Sequence, residues 1–183
     1  MNRLTPVDTT TAKGKVKTML DAVQVKLGIT PNMVRIMAQS PAVLEAYLSF
    51  SGALAGGGLD AKLREQIALI SAEENICTYC LSAHSFIGKS VGLEDAEIKN
   101  ARDANSADPR AKEALKFAQL LIKNQGQVSD AEVARLRSTG FSDGQIGEII
   151  ANVALNIFTN YFNNVTKPDV DFPVIEPRRL AAA

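Results

Sequence analysis

Residues 65–84 read EQIALISAEENICTYCLSAH, a stretch that contains both cysteines and the only histidine of the 183-residue chain. In its first half, apolar residues recur three and four positions apart, which is the spacing of one buried helix face. Three polar residues, 73–75, then interrupt this pattern. Asn75 is a favourable N-cap, so we expect a second helix that starts there and holds Cys77 in its first turn. The stretch therefore predicts two consecutive helices, of which the second carries the cysteines.

Cys77, Cys80 and His84 lie at positions i, i+3 and i+7, so on an α-helix their side chains project from one face. A free cysteine has a pKa of about 8.5 and is only a few per cent thiolate at pH 7, so a reactive thiol needs a group that lowers its pKa. His84, one turn after Cys80, is placed to accept its proton, and the helix N-terminus adds positive potential. A carboxylate such as Glu65 could orient the imidazole or hold a relay water. These residues predict a redox-active dithiol with its own base.

Outside this stretch the pattern is helical almost throughout, and strand-like alternation is nearly absent. We therefore predict an all-α fold in a single domain, residues 1–177, because a chain of this length suffices for one hydrophobic core. Within it we expect a core motif region over residues 31–93, C-terminal helices over residues 109–164, and an extended tail, residues 165–177, over the surface or a neighbouring subunit. Helix starts are indicated at Thr30-Pro31, Ser40-Pro41, Asp60, Asp108-Pro109, and the capping-box pairs Ser129/Glu132 and Ser142/Gln145.

Composition argues against several classes of partner. Twenty Lys and Arg balance twenty Asp and Glu without a basic block, which makes nucleic acid an unfavourable partner. No apolar run approaches the roughly 18 to 20 residues of a membrane helix. The N-terminus lacks the apolar stretch of a secretory signal, so we expect a cytoplasmic protein with no membrane partner. The last residues, 178–183 (RRLAAA), look like the remnant of an expression vector, and the fold prediction leaves them out.

The sequence also contains a weak candidate for an internal helical repeat. It aligns Glu65 with Glu148 and puts two asparagines, Asn160 and Asn163, at the positions of the two cysteines. The match is limited to a few apolar positions, which any two amphipathic helices can share by chance. If the repeat is real, its second copy has none of the thiol chemistry.

The pattern Glu-x(11)-Cys-x-Tyr-Cys-x(3)-His, formed by Glu65, Cys77, Tyr79, Cys80 and His84, resembles the core signature of the alkylhydroperoxidase D family. That family lies within the carboxymuconolactone decarboxylase superfamily. The resemblance implies an alkylhydroperoxidase D-like helical fold and a peroxidase whose second motif cysteine attacks the hydroperoxide while the first resolves it. By this resemblance Cys80 is the peroxidatic residue and Cys77 the resolving one, with the glutamate and histidine as a proton relay.

This chain departs from the family pattern at one position. The best-known members of the family carry a histidine where this chain has Tyr79. A tyrosine with a pKa of about 10 donates hydrogen bonds but is a poor proton shuttle at neutral pH. The expected relay therefore rests on Glu65 and His84, and Tyr79 is expected to pack or to donate a hydrogen bond.

The chemistry expected of the pair begins with a sulfenic acid at Cys80, which Cys77 condenses into a disulfide. The resemblance further implies a dithiol reductant, a lipoyl-bearing or thioredoxin-like protein, and a homotrimer or homohexamer. A long apolar helix from Asp143 to about Asn164 and the apolar tail favour such an assembly. Neither a cofactor nor a metal is expected.

Three alternatives stay open at this point. Cys77, Cys80, His84 and Glu65 could supply four zinc ligands, although structural zinc sites normally draw theirs from two separated pairs. A lyase like carboxymuconolactone decarboxylase shares the fold but, as the resemblance implies, lacks the dithiol. The last alternative is an oligomeric scaffold with a vestigial site.

Overall fold

The computed structural model describes residues 2–178, and in that part of the chain it contains helices, turns and irregular segments but no strand. The predicted all-α, single-domain fold is confirmed. The helices are α1 (Gly14–Leu27), α2 (Asn32–Met37), α3 (Pro41–Ala55), α4 (Ala61–Glu74), α5 (Thr78–Ser90), α6 (Asp95–Ala101), α7 (Pro109–Lys123), α8 (Asp130–Ser138) and α9 (Asp143–Thr166). Among the described residues, no helix combines the length and the apolar character needed to cross a membrane.

The central helix of the fold is α4, which packs against α5, α6, α7 and α9. Residues 66–73 are all buried, in keeping with a helix that has neighbours on nearly every side. Helices α3 and α7 also pack on α9, and α1 and α2 pack on α3. Helix α5 follows α4 along the chain and packs against it, so the predicted site residues of the two helices lie close together.

The connection between α4 and α5 differs from the prediction. Asn75 is the C-cap of α4, and its N–H points to the carbonyls of Ser71 and Glu73. The N-cap of α5 is Cys77, whose sulfur accepts the backbone N–H of Cys80 at 3.2 Å. The expectation that Asn75 caps the second helix and that Cys77 lies in its first turn is therefore wrong.

A contact from another part of the chain explains this error. The Asn75 side-chain amide donates to Asn160 Oδ1 of α9 at 2.9 Å, and the Asn75 carbonyl accepts from Asn164 Nδ2 at 2.8 Å. Asn75 ends α4 with φ −87° and ψ 4°, which is not the extended backbone of an N-cap, and its side chain is bound to α9. The chain then turns through Ile76, which has a positive φ of 54°, and the first residue able to cap is Cys77.

Most predicted helix starts agree with the structure. Side-chain caps are present at Ser40, Asp60 and Asp108, and both predicted capping boxes form. The exception is Thr30, because α2 has Pro31 as its N-cap and begins at Asn32. The N–H of Asn32 donates instead to Asp171 Oδ2 of the tail at 2.9 Å, so a distant carboxylate replaces the local cap.

The segment after α9, residues 167–178, runs without regular structure over the surface of its own chain until its last residue. Val170, Phe172 and Ile175 pack against the core. The N–H of Ile175 donates to Ser82 Oγ of α5 at 2.9 Å. The segment begins after α9 ends at Thr166, two residues later than the tail predicted from residue 165. It lies against its own chain, because its apolar side chains alternate with polar groups that α5 and α2 bind.

Arg178 belongs to this docked segment, although the sequence prediction assigned it to a vector remnant. Its N–H donates to Glu73 Oε1 at 2.7 Å, and its guanidinium pairs with Asp103. The remaining residues of that predicted remnant, 179–183, lie outside the described part of the chain.

Candidate functional site

The two cysteines form a disulfide, with their Cα atoms 5.3 Å apart. Cys77 precedes α5 and Cys80 is its third residue, so the start of the helix holds both sulfurs on the same side. Both residues are buried, Cys77 at 0% and Cys80 at 2% relative exposure. The structure therefore brings together the Cys-x-x-Cys pair as one redox unit inside the core.

His84 and Glu65 form a second pair beside the disulfide. His84 Nδ1 lies 2.8 Å from Glu65 Oε2, and the two side chains keep 23% and 17% of their surface exposed. With Nδ1–H donating to the carboxylate, the neutral imidazole retains Nε2 as its proton acceptor. His84 follows Cys80 by one helical turn. Its side chain is partly exposed to solvent, whereas both cysteines are buried.

Tyr79 lies apart from this pair and binds the tail instead. Its hydroxyl donates to Asp171 Oδ2 at 2.5 Å and accepts the N–H of Met33 at 3.3 Å. The Phe172 ring meets the Tyr79 ring edge-on, with centroids 6.1 Å apart. Burial, and then the hydrogen bond and negative charge of Asp171, raise the pKa of Tyr79 well above its usual value. Tyr79 therefore stays protonated and ties α5 to α2 and to the tail.

Tyr47 on α3 is a neighbour of Glu65 to which the sequence analysis gave no role. Burial, followed by the negative charge of Glu65, raises the pKa of Tyr47 to about 12. Its phenol is thus a neutral group near the Glu65 carboxylate. No local pattern distinguishes such a tyrosine from a core residue.

Asn163 on α9 is the second residue that the sequence reading did not assign to the site. Its Nδ2 lies 3.2 Å from Cys80 Sγ and 3.1 Å from Met33 Sδ, and the residue is 3% exposed. A signal for it does exist in the sequence. Asparagines recur along one face of an otherwise apolar helix at positions 152, 156, 160 and 163, and all four are buried. Buried amides at helical spacing indicate a polar contact across a packed interface.

The predicted zinc alternative has no structural support within residues 2–178. There, no group of three or more His, Cys, Asp and Glu side chains is arranged to hold a metal ion. The two sulfurs that would serve as ligands are bonded to each other.

Comparison with known proteins finds a family model that matches part of the chain and solved structures with a similar fold. The model of the carboxymuconolactone decarboxylase family matches residues 41–120, a range that includes Glu65, both cysteines and His84. An uncharacterized peroxidase-related protein from Ralstonia eutropha JMP134, with an alkylhydroperoxidase core, has a TM-score of 0.85 at 24% identity, over 93% of this chain and 92% of that one. A peroxidase-related protein from Silicibacter sp. TM1040 has a TM-score of 0.79 at 25% identity, over 92% of this chain and 93% of that one. Over residues 41–120 the chain is thus similar to the carboxymuconolactone decarboxylase family, and its fold is that of these peroxidase-related proteins.

The same fold occurs in a protein with a different stated activity. The debrominase Bmp8 has a TM-score of 0.79 at 21% identity, over 92% of this chain and 91% of that one. The comparison with curated proteins found no match. The fold shared with these structures therefore covers nearly the whole chain, and the reaction has to be argued from the chain's own site.

Proposed function

We propose that this protein is a thiol-dependent peroxidase, or disulfide oxidoreductase, that reduces hydroperoxides through Cys77 and Cys80. The observation that carries the proposal is the 2.8 Å contact between Glu65 and His84, one helical turn from a paired dithiol. A structural disulfide between residues only three positions apart closes too short a loop to constrain the unfolded chain much. A base oriented by a carboxylate has a clear use only where a proton is transferred.

The proposed reaction starts from the reduced dithiol. His84 takes the Cys80 proton, the thiolate attacks the terminal oxygen of the hydroperoxide, and the O–O bond breaks. The proton passes to the alkoxide, so Cys80–SH and ROOH become Cys80–SOH and ROH. The Cys77 thiol then attacks the sulfenic sulfur, which releases water and forms the disulfide.

Turnover needs a reductant, because each cycle consumes one dithiol. A lipoyl-bearing or thioredoxin-like dithiol protein attacks the disulfide and leaves as its own disulfide, which restores both thiols. The exposed edges of His84 and Glu65 mark the side from which a substrate or reductant would approach the buried sulfurs. A cytoplasmic location fits this scheme, since that compartment keeps dithiol carriers reduced.

We also propose a homotrimer or homohexamer. The outer face of α9 exposes Ile150, Phe158, Tyr161 and Val165, and no Asp, Glu, Lys or Arg occurs between residues 149 and 166. An exposed apolar stripe of this length is normally covered by another subunit. Sedimentation at micromolar concentration tests this, and a stable species near 20 kDa would refute it.

The lyase and scaffold alternatives leave the central observations without a role. Neither needs two sulfurs at bonding distance, nor an imidazole held by a carboxylate beside them. No contact of the described residues favours either alternative over the peroxidase.

A thiol count tests the proposed function directly. The reduced protein should lose two titratable thiols on addition of one equivalent of tert-butyl hydroperoxide, and dithiothreitol should restore them. The Cys80→Ser variant, with the same oxidant, is the matched control and should keep its one thiol. Retention of both thiols by the unmodified protein, or stoichiometric zinc in the purified sample, would contradict the proposal.

A further inference from the structure

The two sulfurs of the disulfide have different hydrogen-bond donors. Cys77 Sγ accepts the backbone N–H of Cys80, which is one of the unpaired amides at the start of α5. Cys80 Sγ lies instead 3.2 Å from Nδ2 of Asn163, a side chain of α9 that is 83 positions away in the chain. Cys77 Sγ therefore accepts a hydrogen bond from the helix N-terminus, and Cys80 Sγ accepts one from a side-chain amide that is distant in the chain.

The orientation of the Asn163 amide follows from its surroundings. One edge of the amide faces Cys80 Sγ and Met33 Sδ, and neither a disulfide sulfur nor a thioether carries a proton. Only the –NH2 group can make favourable contacts with two such acceptors. The nitrogen thus faces the sulfurs, and the oxygen Oδ1 is buried without a hydrogen-bond partner.

Within residues 2–178, the charged side chains that bind α5 from other elements carry negative charge, so they supply no positive partner for a Cys80 thiolate. Among the bonds of the described residues, the charged side chains of other elements that bind α5 are all carboxylates: Glu65 of α4, Asp95 of α6, and Asp171 and Glu176 of the tail. Negative charges near a sulfur disfavour its thiolate form. Lys89 lies in the last turn of α5 and pairs with Asp95, and Tyr79 and Tyr47 are neutral. Among the hydrogen bonds of the described residues, the donor to Cys80 Sγ is Asn163 Nδ2.

We propose that Asn163 is a further catalytic residue, whose side-chain N–H stabilises the Cys80 thiolate in the reduced enzyme and so selects Cys80 as the attacking sulfur. This inference rests on the proposed function. It explains why a buried helix face carries an amide at this position, where an apolar residue would pack equally well. Hydrogen bonds to an ionised acceptor are stronger than those to a neutral one, so the contact strengthens when the disulfide is reduced and Cys80 ionises.

The unpartnered oxygen of the same amide has a use in the next step. Attack on the hydroperoxide converts the Cys80 thiolate into a sulfenic acid, which carries an O–H donor beside Asn163. Asn163 Oδ1, buried and without a partner in the disulfide state, accepts that hydrogen. One amide thereby stabilises both the nucleophile and its first product until Cys77 attacks.

The test measures the ionisation of Cys80 alone, in a Cys77→Ser background that leaves it as the single thiol. The rate of alkylation by iodoacetamide is followed against pH, and its midpoint gives the thiolate pKa. Asn163→Ala should raise this midpoint by about one to two pH units, the usual value of a charge-assisted hydrogen bond. Asn163→Asp, nearly identical in shape, should raise it further, because a carboxylate replaces the donor beside the sulfur.

Asn156→Ala is the matched control. Asn156 is a buried amide on the same face of α9, two turns earlier, and its Nδ2 donates to the Asn152 carbonyl rather than to a sulfur. Its midpoint should equal that of the Cys77→Ser parent, and thermal unfolding by circular dichroism checks that each variant folds. If Asn163→Asp fails to fold, Asn163→Ala decides the question.

Equal midpoints for Asn163→Ala and Asn156→Ala would overturn the proposal, as would a lower midpoint for Asn163→Asp. The measurement does not use a peroxide. If the unmodified protein consumes no hydroperoxide, the proposed function fails, and the alkylation midpoint still decides whether Asn163 supports the thiolate.

Discussion

The segment 65–84 and the C-terminal segment 143–178 contribute to the same site in different ways. Within the first, Glu65 and His84 meet across 19 positions, and the sulfurs of Cys77 and Cys80 across three. The second reaches the site through contacts between residues far apart in the chain, such as Asn163 to Cys80 over 83 positions and Asp171 to Tyr79 over 92. Under the proposed function, the first segment holds the reacting groups, and the second supplies the polar contact to Cys80 and covers α5.

The largest effect should follow from replacing each cysteine in turn by serine. Cys80→Ser should abolish hydroperoxide consumption, because the attacking thiolate is lost. Cys77→Ser should still complete one turnover and leave a sulfenic acid at Cys80, since only the resolving thiol is missing. A dimedone-type probe followed by mass spectrometry locates the label. Labelling of Cys77 in the Cys80→Ser protein, with none in the reverse variant, would reverse the assigned order.

The next largest effect should come from the base. His84→Gln should slow peroxide reduction about 10²-fold or more, the usual contribution of a general base, and should raise the pKa of the Cys80 thiol. The pH dependence of alkylation by iodoacetamide measures the second effect. Glu65→Gln is the matched comparison, because it preserves a hydrogen-bond acceptor for Nδ1–H but removes the charge, and its effect should be smaller. An unchanged pH profile in His84→Gln would leave the histidine with a structural role only.

Tyr79→Phe tests the contact between the two segments, because Tyr79 lies in segment 65–84 and its hydroxyl binds Asp171 of segment 143–178. The variant loses the hydrogen bond to Asp171 and should destabilise the protein by about 1–3 kcal/mol, which corresponds to roughly 3–10 °C in Tm. Peroxide reduction at 25 °C should change little. Calorimetry and a rate assay on the same sample check both points. A loss of activity by orders of magnitude at unchanged Tm would instead place Tyr79 in the proton relay.

The smallest effect concerns alkaline pH. The pKa of Tyr47 is raised to about 12, and that of Tyr79 is also raised. Above pH 10 the unfolded chain releases these protons first, so the free energy of unfolding should fall as pH rises from about 10 towards 12. Below pH 10 neither tyrosine contributes to a pH dependence. Denaturant titrations at several pH values should show a shallower loss in Tyr79→Phe than in the parent protein, and equal slopes would contradict the assignment.

Much of the site could be predicted because it depends on local rules. The spacing of Cys77, Cys80 and His84 follows from helical periodicity, and the caps at Ser129 and Ser142 are local hydrogen bonds. Asn75 shows the limit of such rules. It satisfies the local pattern for an N-cap, but α9 competes for its side chain, and the cap passes to Cys77.

The candidate repeat illustrates the same limit. The first copy breaks between α4 and α5, whereas the second lies within the continuous helix α9. Ile67 is 0% exposed, and its aligned partner Ile150 is 46% exposed. The alignment nevertheless pairs Cys80 with Asn163, which the structure places in contact. The match of apolar positions carried no information about that contact.

The sequence by itself determined the helical class, the dithiol with its neighbouring base, and the family signature, because each depends on residues within one or two helical turns or on one fixed spacing. Only the tertiary structure decided which donor each sulfur receives, to which group the Tyr79 hydroxyl donates its hydrogen bond, and what covers α5. These depend on how α9 and the tail pack across more than 80 positions, through contacts such as Asn163 to Cys80 and Asp171 to Tyr79. Packing of that kind is set by the shape of the whole core, and no local pattern encodes it.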